Sequence, residues 1–195
     1  NFEGIELPVI KKLENSNFSE INVIFSCTPN GVLAENINKL PEHCMVIDLS
    51  ADFRFNDISL HNSYYGIHKN PDYIKKFCYG LPELFKDNIR KSKFISCPGC
   101  YPTSSLLPLI PLLKDNLIEG KEIIIDSKSG ITGAGRNVKE ELLFSENFGS
   151  LKAYGDGNHR HKPEIEHIIN ITTNKNFDVT FTPHIVPINR GILST

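Results

Sequence analysis

The sequence predicts an α/β fold: a parallel sheet assembled from strand–helix–strand units, followed by a second region of mixed strands and helices. The prediction rests on two observations. First, β-branched apolar runs at residues 21–26 (INVIFS) and 44–49 (CMVIDL) flank a helix-length stretch at 32–40. Together they span about 30 residues, the length of a βαβ unit. Strands buried on both faces read as continuous apolar runs and pair in parallel through a right-handed crossover. Second, the texture changes after Leu113, where strand candidates at 122–126 and 178–183 enclose helix candidates at 138–144 and 163–169. The 195 residues suffice for one good-sized domain or parts of two.

Each element has a local reason. Residues 1–13 show no basic-then-apolar targeting pattern, and the chain opens without Met. Both ends read as cuts in a longer polypeptide. Strand 21–26 breaks at the turn residues 27–31 (CTPNG), and helix 32–40 stops at Pro41. Strand 44–49 leads into the loop 50–54 (SADFR). Residues 62–84, rich in Tyr, Pro, Asn and Gly, read as a long ordered loop with little regular structure, packed by its aromatic side chains. A third strand, 93–96 (KFIS), ends at a sharp turn, and a helix is expected to begin at Cys100 and continue through 106–114. Ligands of parallel sheets gather at the carboxyl ends of strands, so loops 27–31, 50–54 and 97–100 are expected to face one crevice. Further on come strand 122–126, a small-residue loop at 129–136 and a helix at 138–144. Another helix opens around Pro163, with proline in its first turn and acids near the positive end of its dipole. The run 178–183 alternates as a half-buried strand does.

Bulk properties exclude several classes. The net charge is −2 and no basic cluster stands out, so nucleic acid is not an expected partner. No apolar run approaches the ~20 residues of a membrane helix. The five cysteines, Cys27, Cys44, Cys78, Cys97 and Cys100, are odd in number and lack a disulfide-scaffold spacing. Reduced thiols and a cytoplasmic location fit best.

The turn at 96–105 carries the richest chemistry. A cysteine where a strand passes into a helix meets unpaired backbone N–H groups, which favour a thiolate and so a nucleophile. The plainer reading of Cys100 is a small buried hydrophobe. The segment 159–164 (HRHKPE) packs two imidazoles, a guanidinium and a carboxylate just before a helix start, and residues 154–158 lead into it. A histidine there can exchange protons while Cys100 carries an acyl group; a solvated polar loop is the alternative. Cys97 and Cys100 also form a C-x-x-C, open to a redox pair or to zinc with His159 and His161. The H-x-H spacing does not suit a zinc finger, and no metal is expected. The loop 129–136 has three glycines but neither a G-x-G-x-x-G fingerprint nor a P-loop lysine.

Six blocks in order, 50–54 (SADFR), 79–84 (YGLPEL), 98–103 (PGCYPT), 129–136 (SGITGAGR), 159–166 (HRHKPEIE) and 181–192 (FTPHIVPINRGI), resemble the N-acetyl-gamma-glutamyl-phosphate reductases of the semialdehyde dehydrogenase superfamily. The resemblance implies a partial Rossmann-type NADP-binding domain at 1–101, followed by an incomplete α+β catalytic and dimerisation domain with a mixed sheet at 102–195. It implies reduction of N-acetyl-glutamyl phosphate to its semialdehyde with NADPH, in arginine biosynthesis. Cys100 would attack the acyl phosphate and hold a thioester, with His159 as acid/base partner. Arg54, Tyr154, His161 and Glu164 would bind substrate, Arg54 as the phosphate anchor. Cys27, Thr28, Ser50, Ser129, Gly130, Gly133, Ala134 and Gly135 would approach NADP(H). The partners implied are a small acyl phosphate and further copies in a homodimer or homotetramer. The alternatives are a related acyl-phosphate reductase of the aspartate-semialdehyde or N-acetyl-aminoadipate type, or a non-catalytic interaction module. The chain departs from the family pattern in lacking the opening glycine-rich element and the last returning helix. Cys97 stands where Asn is common, adding a thiol able to trap Cys100 as a disulfide.

Overall fold

The computed structural model describes residues 4–6, 8–135, 137–155 and 157–195. Arg136 and Asp156, which belong to two of the sequence blocks above, lie outside the described residues.

The first sheet is parallel. Strand β1 (Val23–Ser26) passes through a turn at Gly31, φ +86°, into helix α1 (Val32–Asn36), and β2 (Met45–Asp48) returns beside β1 with Val23 opposite Met45. The expected long loop at 62–84 is not a loop. Helix α2 (Ile58–Tyr65) runs into it, capped at its start by the Asp57 carboxylate, which accepts from the Ser59 and Leu60 amides. A 3-10 turn (Pro71–Lys76), strand β3 (Phe77–Tyr79) and helix α3 (Pro82–Lys91) follow. Strand β3 is too short for a periodic signature, and tertiary pairing decides it: it has only three residues and lies parallel to β4 (Phe94–Ser96). The strand order is β1-β2-β4-β3. Leu33, Ala34, Ile37, Val46, Phe53 and Ile74 form the core beside this sheet, with Phe53 stacked on Phe77 at 4.0 Å.

Helix α4 (Cys100–Lys114) leaves β4 through the turn 97–99 and buries Leu106, Ile110 and Leu113. The second sheet is mixed, in the order β6-β7-β5-β8. Its centre is β5 (Glu122–Ser129). The expected helix at 138–144 is reduced to a 3-10 turn at Glu140–Leu142 and the four-residue α5 (Phe144–Asn147). Val138, Phe144 and Phe148 are exposed, so no apolar face is buried to support a longer helix. Strand β6 (Lys152–Ala153) is followed by helix α6 (His161–Thr173), β7 (Asp178–Ile185), parallel to β5, and the antiparallel edge strand β8 (Ile192–Ser194). Helices α4 and α6 cover one face of this sheet. Ile165, Ile168 and Ile169 meet Ile123, Ile125, Val179 and Phe181, and Tyr79 and Leu81 from the first sheet's side join the same core. Burying each such side chain contributes about 1.5–3 kcal/mol. Ile124, on the opposite face, is 75% exposed.

Candidate active site

Cys100 is the first residue of α4, one turn beyond the carboxyl end of β4. Three contacts hold that turn. The Cys97 amide donates to the Asp48 carbonyl at 2.7 Å, the Gly99 amide to Glu164 Oε1 at 2.8 Å, and the Thr103 hydroxyl to the Gly99 carbonyl at 2.8 Å. Only glycine fits at 99, because a Cβ there would stand 2.5 Å from His161 Nε2. Cys100 itself is accessible. The expected low-pKa thiolate is not what its surroundings favour: burial of the sulfur pushes the thiol up, outweighing the downward pull of the Tyr101 and Cys100 backbone amides and of Arg54. Cys97 is likewise pushed up, first by burial and then by Asp48, and both cysteines are free thiols.

Cys100, Tyr154, His159, His161, Ser129, Gly130, Gly133 and Ala134 line one cavity of about 300 Å³, so the structure brings most of the expected site residues together. Cys100, Ser129, Gly130 and Gly133 also border a second opening of about 470 Å³ with Thr103, Ser104 and Gly191. The sulfur's residue thus sits between two spaces, with the small-residue loop forming a wall of each. The His159 ring packs edge-on against Tyr101 and Tyr154 at 5.6 and 5.5 Å, and the two tyrosine hydroxyls are 2.8 Å apart. Burial, then neighbouring Arg160, pushes His159 down to about 4. His161 is pushed to about 2 by burial and the adjacent His159, and its Nδ1 is buried without a partner.

Two expectations are corrected. Arg54 and Glu164 do not line this cavity. Glu164 is fully buried and accepts from the Tyr79 hydroxyl at 2.7 Å and from the Gly99 amide. Arg54 Nη1 lies 3.3 Å from Glu164 Oε2, while its Nε donates to the Cys97 carbonyl at 2.8 Å and its Nη2 to the Leu49 carbonyl at 3.1 Å. Each guanidinium nitrogen therefore has a protein partner, which ties Arg54 to Glu164 and to the turn at Cys97 and away from the lining of the Cys100 cavity. Sequence reasoning missed the cations that do border the cavity, Arg160, Lys152 and Lys139. Arg160 stood in view between two histidines; the lysines carried no local signal.

At the carboxyl ends of β1 and β2, the Ser26 and Thr28 hydroxyls pair at 3.0 Å. Ser50 donates from its amide and its hydroxyl to buried Asp48. Cys27 is exposed at the same end. Asp52 takes the Gly31 and Ala34 amides at the start of α1, a tie between the two strand-end loops that sequence reasoning did not identify. A larger cavity of about 630 Å³ beside β3 is lined by Lys75, Lys76, Lys91 and Lys93 but contains neither Cys100 nor His159. Among the described residues no three His, Cys, Asp or Glu side chains converge on a metal site.

The family model described as "Semialdehyde dehydrogenase, NAD binding domain" matches residues 1–92, and the one described as "Semialdehyde dehydrogenase, dimerisation domain" matches residues 100–195. The chain belongs to the semialdehyde dehydrogenase family. Among its relatives, the N-acetyl-gamma-glutamyl-phosphate reductase of Ehrlichia canis is 43% identical over 95% of the chain and 54% of the relative. That of Lachnoclostridium phytofermentans is 46% identical over 90% of the chain and 51% of the relative. The probable chloroplastic reductase of Arabidopsis thaliana is 43% identical over 97% of the chain and 48% of the relative. The chain spans about half the length of these curated relatives. Aspartate semialdehyde dehydrogenase II from Vibrio cholerae shares the fold at a TM-score of 0.65, with 14% identity, covering 94% of this chain and 57% of that one. The Candida albicans enzyme solved with NADP does so at 0.56, with 13% identity, covering 89% and 49%.

Proposed function

We propose that the full-length protein reduces N-acetyl-glutamyl 5-phosphate to N-acetyl-glutamate 5-semialdehyde through a thioester on Cys100, in arginine biosynthesis. The observation that carries this reading is an accessible cysteine at a helix start, set between two spaces and sharing one with two histidines and three cationic side chains. The names of the relatives supply the substrate. After losing its proton, Cys100 attacks the acyl carbon and phosphate departs, leaving a thioester. Arg160, Lys152 and Lys139 supply positive charge for the anionic substrate in place of Arg54. Tyr154 and His161 wall the acyl side.

A nicotinamide cofactor, when bound, supplies the hydride. The residues present fit its reactive end. Ser129, Gly130, Gly133 and Ala134 border the Cys100 cavity with little side-chain bulk, and Gly133 could not carry a Cβ without coming 2.8 Å from Ser129 Oγ. Cys27, Thr28 and Ser50 at the carboxyl ends of β1 and β2 suit a ligand in the sheet crevice. Gly135, at φ +84°, ends the 3-10 turn Ile131–Ala134 and borders neither opening at Cys100. We take the cofactor as NADP(H), the two units as meeting near Tyr101, and the assembly as a homodimer or homotetramer, in keeping with the dimerisation-domain match and exposed Ile124. A cytoplasmic site of action suits the free thiols, although the Arabidopsis relative is named chloroplastic.

The test is the reverse reaction of the full-length protein, following NADPH formation from N-acetyl-glutamate semialdehyde and phosphate, with NAD in a parallel cuvette. Cys100→Ser is expected to lower kcat by at least about three orders of magnitude. Activity that survives this change would sink the thioester route.

A further inference from the structure

Tyr101 follows Cys100 directly in the first turn of α4, yet it is only 2% exposed. Its ring crosses to the second sheet and packs edge-on against Phe181 of β7 at 5.2 Å. The same ring meets His159 at 5.6 Å and His161 at 5.8 Å. Its hydroxyl lies 2.8 Å from that of Tyr154, with the His184 carbonyl of β7 further off at 3.5 Å. One side chain, next in sequence to the nucleophile, therefore touches three residues that line the Cys100 cavity, and Tyr101 lines it too.

The cavity wall needs such a tie. Residues 154–160 join β6 to α6 without regular structure, and Gly155 and Gly157 take φ values of +84° and +76°. Glycines in that region leave the backbone many alternatives. The Tyr154 amide is held by the Pro183 carbonyl at 3.0 Å. Among the described residues, its side chain has one hydrogen-bond partner, Tyr101.

We propose that Tyr101 is a positioning residue for acylation: its hydroxyl fixes Tyr154 and its ring seats His159 and His161, so that the helix carrying Cys100 also sets the wall facing it. This rests on the thioester reading of Cys100. Because Cys100 and Tyr101 are consecutive on one helix, any shift of the helix start moves the nucleophile and the wall together and preserves their spacing. The hydroxyl acts by holding, not by passing a proton. Burial pushes both phenols up, so each keeps its hydrogen at neutral pH.

The test uses the full-length protein. Tyr101→Phe removes one oxygen and keeps the ring. It is expected to lower kcat/KM for the acyl phosphate about 10-fold, by the same factor from about pH 6 to 9, while iodoacetamide alkylates Cys100 at the wild-type rate. A loss confined to one limb of the pH profile overturns holding in favour of proton transfer. The double variant with Tyr154→Phe is expected to lose no more than Tyr154→Phe alone, since the two hydroxyls act as one contact. Losses that multiply overturn the proposal. So does a Tyr101→Phe variant whose urea midpoint falls while kcat/KM stays within about 2-fold, the mark of a purely structural bond. Mass spectrometry of Cys100 after mixing with acyl phosphate, without reductant, separates the two layers. A wild type that gains no acyl mass overturns the thioester reading and the proposal with it. A wild type that gains it, matched in rate by Tyr101→Phe, overturns the proposal alone.

Discussion

Gly99 and Glu164 show how little room the nucleophile's turn has. A methyl group at 99 would press on His161 Nε2 and push the turn off the Glu164 carboxylate. Gly99→Ala is expected to slow Cys100 alkylation and kcat by about 10²-fold, since displacements near 1 Å cost that much at a reacting centre; iodoacetamide kinetics check it. Glu164→Gln leaves Arg54 buried beside a neutral amide and is expected to destabilise the fold by about 3 kcal/mol, read from urea midpoints. At this scale the sequence spoke clearly where chemistry is local. Cys100 at a strand-to-helix turn and His159 in a dense polar loop were both visible as candidates. Arg54 and Glu164 were visible as charges but not as partners, because 110 positions separate them and only the folded chain shows that each consumes the other.

Among the elements, the parallel strands were legible because burial on both faces writes an unbroken apolar run. Strand β3, at three residues, wrote nothing, and its place beside β4 is a matter of pairing. The stretch 138–144 shows the reverse failure: helix-forming residues with no buried face to spend them on. Helix α4 tolerates Pro108 and Pro111 in its interior, each removing a backbone donor, because its buried side is anchored by Leu106, Ile110 and Leu113. Leu106→Ala is expected to cost about 2–5 kcal/mol, measured by denaturant unfolding, with the cavity left against α6 as the reason.

Across the whole molecule, buried imidazoles set the acid limit. His159 and His161 resist protonation when folded but titrate near 6.5 when unfolded, so the unfolded chain binds more protons below that pH. Stability is therefore full above about pH 6.5 and falls as the pH drops toward the folded values of about 4 and about 2. Buried Asp48, pushed up by burial, works in the opposite sense over its own range. Thermal melts from pH 7 to about 4 should show a declining Tm, and His161→Phe should flatten the decline. One carboxylate also joins the two sheets. Glu164, on a helix of the second, holds Tyr79 and Arg54 from the first and the glycine next to the nucleophile. Cys100 is thereby a built-in sensor of how the two halves are seated. In sub-denaturing urea its alkylation rate should change before far-UV circular dichroism does, and a rate that tracks global unfolding would show the latch and the fold to give way as one.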